Sequence, residues 1–203
     1  MARASDRPAS RRKRPARETY HHGNLRRALI EAALKFVRDG GPDAFTMAEA
    51  AREAGVSSGA PYRHFPDRKA LMRAVAAEGE ELLAEAMDQA IDGAGADGWS
   101  RLLAVGRAQV AFAQEHAAHF RVLYSPEYRT PEDAGYQAEV DTNRTRLLAA
   151  HRSREAAAVF AAQCAIYGLS RMVVDGQLGP ELEPEVVDDA LRAVLNALRG
   201  GRS

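Results

Sequence analysis

The sequence predicts an all-α protein in which a small N-terminal head of three short helices is joined to a larger helical bundle. Three observations predict it. Alanine, leucine, arginine and glutamate dominate and β-branched runs are few, which favours helix. Apolar residues recur at three- and four-residue spacing in most segments, and no strand-like alternation or internal repeat interrupts them. Sharp turns divide residues 24–66 into short pieces, and one long helix follows.

Residues 1–19 are polar, basic and proline-bearing, so a flexible arm is expected. Pro8 and Pro15 spoil the amphipathic helix of a transit peptide, and no apolar stretch follows as a secretory signal would require. The head is expected over residues 20–66 and the body over 67–203. Asn24 is the candidate N-cap of a helix striped by Leu25, Ala28, Leu29, Ala32, Ala33, Phe36 and Val37, and Gly40, Gly41 and Pro42 stop it. Thr46 and Glu49 form a capping box that opens a short second helix. Gly55 ends it, supplying the left-handed backbone of a tight turn. Ser57 or Ser58 is expected to cap a third helix over residues 58–64, where Pro61 is tolerable only in the first turn.

A long helix is expected from Asp67, with Leu71, Met72, Val75, Leu82, Leu83, Met87 and Ile91 on its apolar side. After a glycine-rich loop at 92–98, helices are expected at 99–115, 117–125, 132–150, 153–177 and 184–199. The segment 153–177 is apolar nearly all round, as in a helix buried on several sides. Together with the clean stripe of the last helix, it predicts a four-helix dimer interface from two helices per chain. Its expected residues are Leu169, Met172, Val173, Val187, Leu191, Val194, Leu195 and Leu198.

The net charge is zero, but residues 1–75 hold sixteen Lys and Arg against eight Asp and Glu. Residues 1–75 are thus +8 and the remainder −8, which points to a polyanion partner at one end only. Cys164 is the only cysteine, so no internal disulfide can form, in keeping with a reducing compartment. In an apolar helix it is expected to be inert core. No apolar run is expected to reach the ~20 residues of a bilayer span, so no membrane association is expected. The adjacent His21 and His22 lack a third ligand at metal spacing, so neither metal nor cofactor is expected.

The two short helices joined through Ala54, Gly55, Val56 and Ser57 make a helix-turn-helix arrangement, whose second helix is free to enter a DNA major groove. Arg63 is the candidate base reader, since its planar fork matches guanine O6 and N7; a phosphate-bound or solvated arginine is the other reading. Phe45, Thr46, Ala51, Gly55, Val56, Ser57, Gly59, Ala60, Tyr62, His64, Phe65 and Leu71 resemble the signature of TetR-type repressors over about residues 20–75. That resemblance implies a DNA-facing set of Thr46, Ser57, Ser58, Gly59, Ala60, Pro61, Tyr62, Arg63, His64, Arg68 and Lys69. It places Arg68 where the family usually has a phosphate-binding lysine. Arg11, Arg12, Lys13, Arg14 and Arg17 of the arm are expected along phosphates or in a minor groove.

Residues 20–25, 109–124 and 165–178 resemble a TetR subgroup with a Trp-His-Gly signature in its sensing domain. Ile166, Tyr167 and Gly168 stand in place of that signature, so two of its three residues are absent. Phe112, His116, Phe120, Tyr124, Phe160, Gln163 and Tyr167 are candidates to line a ligand pocket, each with core packing as the alternative. Arg107 and Arg171 could pair an acidic ligand or form salt bridges. The reading is a cytoplasmic homodimer that binds a double-stranded, pseudo-palindromic operator and is released by an unidentified small molecule. A DNA-binding regulator without a ligand, and an enzyme or carrier on a helical bundle, are the alternatives. A DNA-binding assay separates the last, and ligand-induced release separates the first.

Overall fold

The computed structural model describes residues 25–128, 154–179 and 183–200, and every regular element among them is helical. The basic arm and the helix expected at 132–150 lie outside the described residues.

Helix α1 (Leu25–Gly40) buries the expected stripe, with Leu29, Ala33 and Val37 fully enclosed. Helix α2 (Met47–Glu53) begins on the expected capping box. Thr46 Oγ1 accepts from the Glu49 backbone N–H at 3.3 Å, and the Thr46 N–H donates to Glu49 Oε2 at 2.8 Å. The end of α2 is equally local. The Val56 N–H reaches back to the Ala51 carbonyl at 2.9 Å while Gly55 takes φ +71°, a conformation that a Cβ would oppose.

The third helix differs from expectation. In place of an α-helix over residues 58–64 there is one 3₁₀ turn at Pro61–Arg63, with Ala60 rather than a serine at its N-cap. Pro61 has no N–H to donate to the Ser57 carbonyl, which instead accepts from Ala60 at 3.0 Å. His64 and Phe65 both donate to the Pro61 carbonyl, which closes the turn. Pro61 itself is fully buried.

Helix α3 (Arg68–Asp92) starts on Asp67, whose side chain accepts from the Ala70 N–H at 2.7 Å. Helix α4 (Gly98–Glu115) starts on Asp97 in the same manner. Helix α5 (Ala117–Leu123) follows after one residue, and α6 (Arg154–Val174) and α7 (Pro184–Gly200) complete the body. Core packing crosses the head–body boundary. Ala118 and Val122 of α5 and the ring of Tyr128 are buried in the same cluster as Leu29, Phe45 and Leu71.

In the body, α4 packs against α3, α6 and α7. Gly106 permits the approach to α6, because a Cβ there would stand 3.0 Å from Ile166 Cδ1. Helix α6 buries Ala162, Ile166, Ser170 and Val174, one residue per turn, and Ser170 Oγ donates to the Ile166 carbonyl at 2.8 Å. The rest of α6 is open to varying degrees. Contrary to the sequence expectation, its Glu155–Val174 stretch has a mean hydropathy of 1.5, long and apolar enough by composition to span a bilayer. Only 22% of that stretch is buried inside the chain, and Tyr167 and Met172 on it are exposed at 39% and 38%.

The expected interface residues divide. Val187, Leu191 and Leu195 of α7 are buried within the chain, the first two with Val110 and Ile166. They have almost no surface left to give a partner. Met172 and Val194 are exposed at 38% and 37%, and Leu169, Val173 and Leu198 are half-buried. The α7 stripe therefore covers α4 and α6 of its own chain.

Candidate nucleic-acid interface

The head presents its functional candidates as one surface built on a rigid floor. Phe45, Ala50, Ala51, Phe65 and Leu71 are buried beneath it, and the Phe36 and Phe45 rings stack at 5.5 Å. Above that floor Ser57, Ser58, Gly59, Tyr62, Arg63, His64 and Lys69 are all exposed, Tyr62 at 54%. Ala60 is half-buried and Pro61 fully buried, so these two anchor the turn from below. Arg63 and Lys69 form no ion pair with the described residues, which leaves both charges available to an external anion. Thr46 is exposed, but its hydroxyl donates to Glu49 Oε2 at 2.9 Å. Binding a phosphate would require it to release that carboxylate.

Arg68 occupies a different setting from the one the resemblance implies. Its Nη1 donates to the Pro42 carbonyl at 2.6 Å, and its Nη2 to Asp43 Oδ1 at 2.8 Å and Glu127 Oε1 at 3.3 Å. The guanidinium lies 5.8 Å from the Phe45 ring centroid and 5.7 Å from that of Tyr128. Tyr128 donates its hydroxyl to Asp43 Oδ1 at 3.1 Å. Burial pushes this phenol up to about 12, so it stays a donor throughout the physiological range. The Arg68 hydrogen bond holds the Asp43 carboxyl below its usual range. Arg68 thus joins the loop before α2 to the segment after α5.

Behind the head, α3, α4, α5 and α6 border an open cavity of about 760 Å³. Of the seven expected lining residues, Tyr124, Phe160, Gln163 and Tyr167 line it. Phe112 and Phe120 are buried in the neighbouring core, Phe120 with its ring 4.5 Å from Tyr124. The His116 ring lies tilted at 5.2 Å from that of Phe112 and is not part of the lining. Sequence reasoning missed the contribution of α3, where Glu80, Leu83, Ala84 and Met87 reach the cavity at three- and four-residue spacing. That spacing was the available signal. Cys164 is exposed and lines the cavity, contrary to the inert-core expectation. Arg107 pairs with Asp188, and Arg171 pairs with Asp175 at 2.8 Å.

Head and body are also linked by a buried histidine. His119 Nε2 donates to Glu78 Oε1 at 3.2 Å, and Glu78 Oε2 accepts from Arg27 Nη1 of α1 at 2.7 Å. Burial lowers the pKa of His119, opposed by the Glu78 carboxylate; His116 and Arg27 add to the lowering. The fold therefore favours the neutral ring, whereas the unfolded chain takes up a proton near pH ~6.5. The stability that follows is present above that pH and is lost as pH falls below it. The melting temperature is expected to drop between pH 7.5 and 5.5, and a His119→Gln variant should show a shallower drop. Equal slopes for the two proteins would show that His119 takes up its proton alike in the folded and unfolded states, and that burial does not favour the neutral ring.

Packed head, exposed turn and cavity-bearing body define a two-part helix-turn-helix protein. Residues 29–75 match the family model for bacterial regulatory proteins of the tetR family, and residues 102–198 match that for the tetracyclin repressor-like C-terminal domain. The chain belongs to the TetR family of regulators. It is 29% identical over 126 residues to the HTH-type transcriptional regulator Rv1816 of Mycobacterium tuberculosis, covering 60% of this chain and 52% of that protein. It is 33% identical over 112 residues to the HTH-type transcriptional regulator BetI of Rhizobium meliloti, covering 53% of this chain and 54% of that protein. The chain thus spans about half the length of these curated relatives. A TetR-like transcriptional regulator from Rhodococcus sp. RHA1 shares the fold with a TM-score of 0.66 at 20% identity, over 88% of this chain and 97% of that one.

Proposed function

We propose that the protein is a cytoplasmic, homodimeric transcriptional regulator that represses by holding a pseudo-palindromic DNA operator and releases it when a small molecule enters the cavity. The observation that carries this reading is the exposed run from Ser57 to His64, presented over a buried floor with the free charges of Arg63 and Lys69 at its edge. Such a surface supplies base readout and phosphate contact from adjacent residues. With Arg68 tied to Asp43 and Glu127, the phosphate contact passes to Lys69. The exposed apolar face of α6, with Met172, and the exposed Val194 of α7 support a second copy as their cover. The cavity has the size and apolar character of a small-molecule site, with Glu80, Gln109 and Gln163 among its polar groups. A ligand there releases DNA only if it binds the non-binding arrangement more tightly. The likeness of residues 109–124 and 165–178 to the Trp-His-Gly subgroup belongs to the same proposal.

The test begins with duplexes selected from a random library by the unaltered protein. Lys69→Ala is expected to weaken binding to every duplex and to reduce the salt slope by about one unit. Arg63→Ala is expected to cost about 1–3 kcal/mol on the selected sequence and much less on random DNA. Failure to enrich any sequence overturns the reading, and an unaltered salt slope removes the role of Lys69. Deleting residues 1–17 takes away seven basic residues, five of them clustered at 11–17, and none of the described core. The truncated protein should keep its melting temperature and lose DNA affinity. If its affinity matches that of the full chain, the arm makes no DNA contact.

A further inference from the structure

Arg121, in the last turn of α5, is half-buried, and its three hydrogen bonds all go to backbone carbonyls. Nη1 donates to Val37 at 3.2 Å and Arg38 at 3.0 Å, both in the last turn of α1. Nη2 donates to Val174 at 2.9 Å, the final residue of α6. Carbonyls at a helix end lack intrahelical donors. The neighbouring carbonyls of α6 are satisfied by the turn that follows: Arg171 by Asp175, Met172 by Gln177 and Val173 by Gly176. Val174 is satisfied by Arg121. The guanidinium therefore sits between the negative ends of two helices, one from the head and one from the body. Its planar fork can address both at once, which a lysine ammonium cannot do with the same geometry.

The residues that follow strengthen the connection. Glu127 and Tyr128 hold Arg68 and the Pro42–Asp43 loop of the head. Leu123 and Tyr124, between these two holds, line the cavity. Helix α6, which Arg121 ties to the head, also carries the apolar face that the proposed dimer covers. Of the hydrogen bonds described above that join head to body, those of Arg121 alone reach α6.

We infer that Arg121 is a positioning residue that sets the separation of operator half-sites the dimer accepts. The inference rests on the dimeric DNA-binding reading above. Half-sites must match the distance between heads, about 34–36 Å per helical turn of DNA. Each base pair inserted between them shifts and rotates one site relative to the other. A head held at α1 and α6 cannot follow that shift, whereas a head released from α6 can.

The experiment uses the full-length protein with Arg121→Ala and Arg121→Gln. The glutamine variant keeps a helix-forming side chain, reaches at most one of the three carbonyls, and decides the matter if the alanine variant does not fold. Each protein is titrated against the selected operator with its centre lengthened or shortened by one and two base pairs. Helicity and sedimentation confirm a folded dimer. The unaltered protein is expected to lose about tenfold or more in affinity on each change of spacing. The variants should discriminate by less than about threefold, with the salt slope unchanged because no phosphate contact is lost. A folded, dimeric variant with the unaltered spacing profile overturns the inference. An unaltered protein with no spacing preference overturns the operator reading itself, a result visible before any variant is made.

Discussion

A chain carrying Met172→Glu and Val194→Glu together is expected to be a folded monomer whose operator affinity is lower by about two orders of magnitude or more. Both side chains are more than a third exposed within the chain, so the new carboxylates remain in water and the fold loses little. In the proposed dimer the same carboxylates would be desolvated on an apolar surface without partners, at about 3–5 kcal/mol for such a charge. The loss in affinity follows from geometry. With one head on DNA, the second head of a dimer binds at a high effective concentration, and a monomer forfeits that gain. Sedimentation equilibrium reads the assembly, circular dichroism reads the fold, and titration against the selected duplex reads the affinity. A double variant that remains a dimer at micromolar concentration would place the interface on another face.

Leu191→Glu is expected to act by a different route and to destabilise the body. Leu191 is 3% exposed, in a cluster with Val110, Ile166 and Val187, and its Cδ2 lies 3.6 Å from the position a Cβ on Gly106 would take. Helix α4 approaches too closely there for a carboxylate to swing out beside Gly106. The cost of a buried unpaired charge, about 3–5 kcal/mol, is a large part of the 5–15 kcal/mol that holds a typical domain. The melting temperature should fall by about 6–20 °C, at roughly 2–4 °C per kcal/mol for a chain of this size. Leu191→Ala, which leaves a cavity without a charge, should cost about 2–5 kcal/mol. A Leu191→Glu protein that melts with the unaltered one would contradict the packing of α7 on α4 and α6. The two experiments separate surface from core on neighbouring turns of one helix: Val194 affects assembly, Leu191 affects folding.

The contrast shows where sequence reading reached and where it stopped. The stripe of α7 was plain in the sequence, but a stripe states only which face is apolar. Val187, Leu191 and Leu195 turn that face onto α4 and α6 of the same chain, and Met172 and Val194 remain outside. The third head helix failed as an expectation for a local reason, since Pro61 removes the donor that would have closed a full α-turn onto Ser57. That signal was in the sequence. The surroundings of Arg68 were not, because its partners Asp43 and Glu127 stand 25 and 59 residues away.

The sequence by itself determined the helical class, the family and, apart from the third head helix, approximately where the described helices start and stop. Caps and breakers act over three to five residues, so Thr46 with Glu49, Gly55, Asp67 and Asp97 specify their boundaries without help from the rest of the chain. The tertiary structure alone decided which charged groups stay free and which are consumed. Arg63 and Lys69 remain available, while Arg68 and Arg121 join the head to the body. It also decided that the α3 face from Glu80 to Met87 borders a cavity. The physical reason is common to these cases. A side chain's chemistry is set by what comes within about 3 Å of it, and here those neighbours are brought together by packing between helices far apart in the chain.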